Sequence, residues 1–399
     1  MPRKPLVAVG IDLGSTWVRC VMTSVENRSL RLLGCGSARS EGWVKGRISD
    51  QRAVTQNIKR ALRNAEQTAG ALAESAVVGI GGPTVRGANS RGSVDLGRAR
   101  EIDQRDVNRA VDRATLVRLA EDRMVLQVFP QDFVVDGYPG HRDPRGMIAS
   151  KLEANVHMIT ASIQEHERVV GAVNEAGLSV EETVCEALAA CHAAVLPEER
   201  RAGLALLNVG GQSTDLVVYY GDSLLLASSV PVSGDHFSRD LARGLCTSYE
   251  DAEEIKEEFG CAMVGLTRGD NLVEIPSPED REPREALRGL INQVLEARAE
   301  ELFRYIYAEL QRVGMERSLM NGVVLSGGGA HLMGLCDIAE QSLNCQARKG
   351  YPIGIQDWPE ELEDPAWNTA AGLAMYAGRL KLQMEIERRR AGLLERIFQ

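Results

Sequence analysis

The sequence predicts a mixed α/β protein of two lobes. Three observations carry this. At 399 residues the chain is longer than one hydrophobic core ordinarily serves. Apolar, strand-like runs alternate with helical patterns along most of its length. A buried strand running into a glycine-rich, hydroxyl-bearing turn occurs near residue 12 and again near residue 209, one copy for each lobe.

Composition narrows the function classes. Apolar residues at 44% and charged residues at 26% are the balance of a soluble globular protein. Aromatics are only 5%, so the cores must be built from Val, Leu, Ile and Ala. A formal charge of −10 and the lack of a basic domain argue against a general nucleic-acid binder. The eight cysteines include no CxxC pair and none has a His at zinc-finger spacing, so reduced, buried thiols are expected and a metal site is not. The basic stretch 1–5 precedes an apolar run, 6–11, too short for a signal-peptide core, and no window is long enough to span a bilayer. A cytoplasmic chain is expected, unless something attaches it to a membrane surface.

The first lobe opens with a strand at 6–12 and a second at 17–25, with Asn27-Arg28-Ser29 as a hairpin connection. Asp50 caps a helix in which Val54, Ile58, Ala61, Leu62 and Ala65 fall at helical spacing, and Gly70 ends it. A strand at 75–80 closes on Gly81-Gly82-Pro83. From 84 to 161 the chain turns Arg- and Asp-rich; a helix at 104–119 and strands at 124–129 and 155–161 make this an inserted α/β subdomain. Helix 164–176, strand 178–184 and helix 186–196 complete the lobe. The second lobe has strands at 204–209 and 223–230, a helical stretch at 235–260, a proline loop at 276–283 and a long amphipathic helix at 284–312. A strand at 322–325 then enters Ser326-Gly327-Gly328-Gly329, and 367–384 reads as helix.

Four motifs bear chemistry. Asp12, Gly14, Ser15 and Thr16 end the first strand: backbone N–H groups and hydroxyls suit a phosphate, and the carboxylate suits a hydrated magnesium ion. The same pattern also describes an ordinary turn. Asn208, Gly210, Gly211, Gln212, Ser213, Thr214 and Asp215 form a second such hairpin, which would face the first across a cleft. Gly327, Gly328 and Gly329 let backbone approach a flat ring or ribose, or form a flexible loop; Leu332, Met333 and Leu335 directly after them suit an ordered helix. Glu253 and Lys256 share a helix face, suited to a ribose and a base, or to a surface ion pair.

In this order, two phosphate hairpins, an AExxK helix and a triple-glycine turn resemble the actin, Hsp70 and sugar-kinase superfamily. Within it, Ser248-Tyr249-Glu250-Asp251-Ala252-Glu253-Glu254-Ile255-Lys256, Val128-Phe129-Pro130-Gln131-Asp132-Phe133 and Asp143-Pro144-Arg145-Gly146-Met147 resemble the FtsA family of bacterial cell-division proteins, and the likeness runs from Val9 to Phe398. It implies an actin-like fold with duplicated RNase H-like domains and an FtsA-type insertion (1C). The implied division is 1–83 and 162–201 for the first core (1A), 84–161 for 1C, 202–236 and 317–365 for the second core (2A), 237–316 for 2B, 366–384 for a connecting helix and 385–399 for a membrane-targeting helix.

The resemblance also implies ATP and Mg2+ as cofactors, self-assembly into filaments, the C-terminal peptide of FtsZ as partner, further divisome proteins, and a place at midcell on the cytoplasmic face of the membrane. Arg19 joins the first phosphate motif, where the family often has Lys. Where the family's second motif begins with Asp, this chain has Asn208, and its third glycine is Gln212. An amide cannot accept a proton as a carboxylate does, so ATP binding with slow or absent hydrolysis is expected. Arg298 and Glu301, in the family's RxxEL pattern, are candidates for the FtsZ peptide; a solvated helix with Glu/Arg pairs is the competing account.

The last residues form an amphipathic helix. Ile386, Leu393, Leu394, Ile397 and Phe398 share one sector of the wheel, with Arg388, Arg389 and Arg396 opposite and Arg390 on the apolar side. A basic face and a Leu/Ile/Phe face suit an anionic membrane surface. Pattern alone does not separate this from a helix docked on its own protein. A PilM-like type IV pilus scaffold is the rival function; a sugar kinase lacks its carboxylate at Asn208, and an Hsp70-like chaperone has no residues left for a substrate domain.

Overall fold

The computed structural model describes residues 6–26, 29–221, 223–276 and 284–397, with side chains as far as Glu387. Two sheets organise the lobes, and both follow one plan. In the first, Leu6–Leu13, Trp17–Glu26 and Ser29–Arg39 pair antiparallel, and Ser75–Ile80 then Ser179–Cys185 add in parallel on the other side of Leu6–Leu13. In the second, Leu204–Val209, Thr214–Tyr220 and Ser223–Val230 are the antiparallel strands, while Val323–Ser326 then Ala347–Lys349 are the parallel ones. Val, Leu, Ile and Ala fill both cores, as the low aromatic content requires.

Helix Gln51–Ala69 covers the first sheet. The Asp50 carboxylate accepts from the Arg52 and Ala53 N–H groups, and Gly70 closes the helix in the left-handed conformation. A third sheet, ordered Arg86–Glu101, Ile148–Ser162, Arg123–Val135, Tyr138–His141, carries helix Gln104–Thr115 on one face and builds a separate small core.

Several sequence expectations are corrected. Strand Arg86–Glu101, which no expectation covered, carries no apolar alternation because most of its side chains are exposed, and in strand Ser29–Arg39 the apolar pattern is interrupted at Gly34 and Gly36, over which helix Gln51–Ala69 packs closely. The strands expected at 124–129 and 155–161 run over Arg123–Val135 and Ile148–Ser162, and the helix expected at 104–119 stops at Thr115. The stretch 235–260 is two helices, Gly234–Leu245 and Tyr249–Phe259, divided at the left-handed Cys246 and restarted by the Ser248 cap. Arg284–Leu287 is a strand paired with Leu272–Ile275, so the long helix begins at Arg288. Four cysteines are not buried, and Cys246 is exposed.

Helix Asn368–Ile397 is continuous, with no break near 385. Its first turns bury Ala370, Ala371, Leu373, Ala374 and Ala377 against the first lobe. The approach is close enough that an added Cβ on Gly10 would overlap the Ala374 nitrogen, and one on Gly372 the Ala189 carbonyl of helix Glu186–Ala194. Among the described residues, no helix is long and apolar enough to cross a membrane.

Candidate functional site

The strands that end in glycine turns converge between the lobes on a cavity of about 570 Å³. Asp12, Gly14, Ser15, Thr16 and Arg19 line it from the first lobe. Asn208, Gly210, Gly211, Ser213, Glu253, Lys256, Gly327, Gly328, Gly329 and Leu332 line it from the second. Three expected residues do not line the wall. Thr214 is fully buried in its strand, Gln212 lies between the lobes, and Asp215 sits behind the turn. There the Gly82 N–H donates to Asp215 Oδ2 at 3.2 Å while Oδ1 is buried without a partner.

The two hairpins meet almost in contact: a Cβ on Gly211 would overlap Thr16 Oγ1 and lie 3.2 Å from Ser15 Oγ. Gly327 takes φ of 78°, which a β-carbon disfavours, and a Cβ on Gly329 would strike Val209. This backbone therefore lies tight against the strand rather than forming a loose loop. Glu253 and Lys256 pair at 2.8 Å, and Ser238 of the preceding helix joins them: Lys256 Nζ donates to its hydroxyl at 2.9 Å, which in turn donates to Glu253. They form part of the cavity wall, not a fully solvated surface pair.

Glu186 carries no signal in the sequence beyond opening a helix after a strand, yet it lines the cavity. Gly79 and Gly81, from a strand about a hundred residues earlier, leave the space it fills. Burial pushes its carboxyl well up, and the neighbouring Asp12 and Asp215 push it further. Burial also raises Asp12 to about 6, partly opposed by Arg19, and Asp215 to about 6. The Arg19 guanidinium sits 5.7 Å from the Trp367 ring centre, and burial lowers its pKa against the pull of Asp12 and Asp364. Two buried carboxyls on the wall, Asp12 and Glu186, with Asp215 behind them and one arginine, Arg19, make surroundings that favour a further cation. Trp43, Arg288, His331 and Asp364 also line the cavity without a sequence signal, and His331 pairs with Asp364 at 2.8 Å.

Away from the cavity, Arg298 donates to Asp240 Oδ2 at 2.6 Å and pairs with Glu301. Ile386 is 39% exposed. The side chains of Arg389, Leu393, Leu394 and Ile397, and all of Phe398, lie outside the described residues.

The sequence profile of the cell division protein FtsA family matches residues 205–372, and that of the SHS2 domain inserted in FtsA matches residues 82–160, the region of the third sheet. The cell division protein FtsA of Pseudomonas aeruginosa is 34% identical over 369 residues, covering 92% of this chain and 88% of that protein. This chain belongs to the FtsA family. The FtsA of Escherichia coli K12 is 30% identical over 393 residues, covering 96% of this chain and 93% of its own length. Among solved structures, the PilM-PilN type IV pilus biogenesis complex superposes with a TM-score of 0.68 at 18% identity, over 94% of this chain and 99% of that one. MreB5 of Spiroplasma citri bound to AMPPNP gives 0.58 at 14% identity, over 96% and 100%. Both likenesses are of fold, and they make this FtsA-family chain actin-like. The PilM resemblance goes no further than that.

Proposed function

We propose that the cleft binds ATP with Mg2+, and that the loaded chain polymerises on the cytoplasmic face of the membrane at midcell and holds the C-terminal peptide of FtsZ there. The observation that carries this reading is the pair of glycine-rich hairpins meeting across one cavity, with Glu253, Lys256 and the triple-glycine turn on its second-lobe wall. Membership of the FtsA family supports it.

Magnesium fits the residues present. Among the described residues no group of three or more His, Cys, Asp and Glu side chains is disposed to cage a metal alone. Mg2+ characteristically keeps most of its waters and takes one or two carboxylates plus phosphate oxygens. Asp12 would hold it through water, and the unpartnered Asp215 Oδ1 and raised carboxyls are the groups its charge would relieve. When bound it would neutralise phosphate charge.

Ser15, Thr16, Ser213 and the turn amides would bind phosphate, Arg19 would add a fixed positive charge, and Glu253 with Lys256 would orient the nucleoside. Asn208 lines the cavity but cannot take a proton, whereas Glu186 can once a bound cation offsets the burial that favours its protonated form. Hydrolysis is therefore expected to be slow and to depend on Glu186. Glu186→Gln should lower single-turnover hydrolysis at least about tenfold while ATP still binds, and Asn208→Asp should raise it. Equal rates in all three proteins would remove both assignments.

Co-sedimentation with anionic liposomes tests the whole reading. One tail binds weakly, and a polymer gains by avidity, on the order of a hundredfold or more. The full chain should pellet with liposomes more completely when ATP is present, and a chain lacking residues 388–399 should stay in the supernatant. Pelleting of the shortened chain would refute the anchor.

For the FtsZ peptide, Arg298 is the proposed contact, although its fork already serves Asp240 and Glu301. An acidic peptide would have to share or displace those partners, so a modest effect is expected. Arg298→Glu should weaken the peptide about tenfold by fluorescence anisotropy. Undiminished affinity would leave Arg298 as an internal brace.

A further inference from the structure

Gln212 stands where the family's second phosphate motif has a third glycine, and both its main chain and its side chain reach the opposite lobe. Its N–H donates to Ser15 Oγ at 3.1 Å, and its Oε1 accepts from the Gly46 N–H at 2.9 Å. Gly46 lies in the tight turn between strands Trp43–Val44 and Arg47–Ile48 of the first lobe. Lys45 and Gly46 there take φ of 52° and 70°, which turn that amide outward. Trp43 and Gly46 themselves line the cavity. Thus one residue ties the second hairpin to two separate points of the first lobe. A glycine in its place would keep only the Ser15 bond. Because Ser15 Oγ accepts from Gln212, its own proton stays available to a phosphate oxygen.

We propose that Gln212 is a strap that holds the lobes together over the phosphate end of the cleft and thereby limits how fast nucleotide leaves. The proposal rests on the ATP reading above. Separating the lobes at this end must break the Gly46 bond as well as the Ser15 bond. One net hydrogen bond corresponds to about a three- to tenfold change in an opening equilibrium. Gln212 is thus a positioning residue, acting through the closure of the two hairpins.

Two measurements on the full chain test this. The first needs no nucleotide: hydrogen exchange, read by mass spectrometry on a peptide containing Gly46. Exchange should be about three- to tenfold faster in Gln212→Gly and in Gln212→Met, which keeps the length but loses the acceptor. Gln212→Glu, which keeps an acceptor oxygen, should restore wild-type protection. The second is the release of a fluorescent ATP analogue chased with excess ATP, which should quicken by a similar factor in the Gly and Met variants. Unchanged Gly46 exchange in all variants would overturn the strap. Faster exchange with unchanged release would overturn its control of nucleotide departure. A wild type that binds no analogue at all would defeat the ATP reading instead, and the proposal with it, while the exchange result would still report on the hydrogen bond.

Discussion

Gly211→Val should abolish useful nucleotide binding while the protein remains folded. Gly211 is the point of closest approach between the two hairpins: even one added carbon overlaps the Thr16 hydroxyl, and Asp235 Oδ1 lies 3.6 Å away on another side. A valine adds three carbons. They must either push the lobes apart or displace the Ser15 and Thr16 hydroxyls from the space a phosphate would use. Gly211 belongs to neither lobe's hydrophobic core, so each sheet should form as before. A fall in ATP affinity of at least about a hundredfold is expected, about 2.8 kcal/mol at 1.4 per tenfold. Isothermal calorimetry reads the affinity and circular dichroism the fold. Affinity within threefold of wild type would place the nucleotide elsewhere.

Gly372→Val should be among the most damaging changes to stability. Helix Asn368–Ile397 crosses helix Glu186–Ala194 backbone to backbone at this residue, and the added Cβ would lie on the Ala189 carbonyl. Side-chain rotation cannot relieve an overlap with main chain. The helix also rests on Gly10 through Ala370 and Ala374, so it cannot withdraw from one contact without losing the other. Overpacking of this kind costs about 3 kcal/mol or more. The ATP-free protein should melt at least roughly four degrees lower or fail to accumulate. Gly265→Ala, where a new Cβ meets nothing, should change stability by less than about 0.5 kcal/mol. A Gly372→Val protein that melts with wild type would mean that the helix is not seated as described.

What could be read from the sequence divides along a physical line. The glycine turns after residues 12, 209 and 326 were legible because a buried strand followed by small residues is a local pattern, and all three reach the cavity. The inserted region was legible through its change of composition, but its longest strand, Arg86–Glu101, was not. A strand paired along one edge, with most side chains in water, has no apolar period to reveal it. Glu186 was invisible for a different reason. Its surroundings are made by Gly79, Gly81, Asp12 and Asp215, none of them near it in sequence. Gln212 read as a phosphate-hairpin residue in place of a glycine and not as a link between lobes, because its partner Gly46 is 166 residues away. Arg298 shows the converse: a local RxxEL pattern was easy to see, and much of its guanidinium is occupied by Asp240, which no spacing rule would pair with it.

The uninterrupted course of helix Asn368–Ile397 bears on orientation as well as on the proposed attachment. From Lys381, whose Nζ still pairs with Glu181 of the first lobe at 2.8 Å, to Ile397 is roughly 24 Å of rod at 1.5 Å per residue. A chain anchored through such a rod has no swivel. Once its end lies flat in a lipid interface, the rod sets the tilt and heading of the whole body. Neighbouring copies on one surface would then meet already aligned, having surrendered rotational freedom to the bilayer rather than to each other.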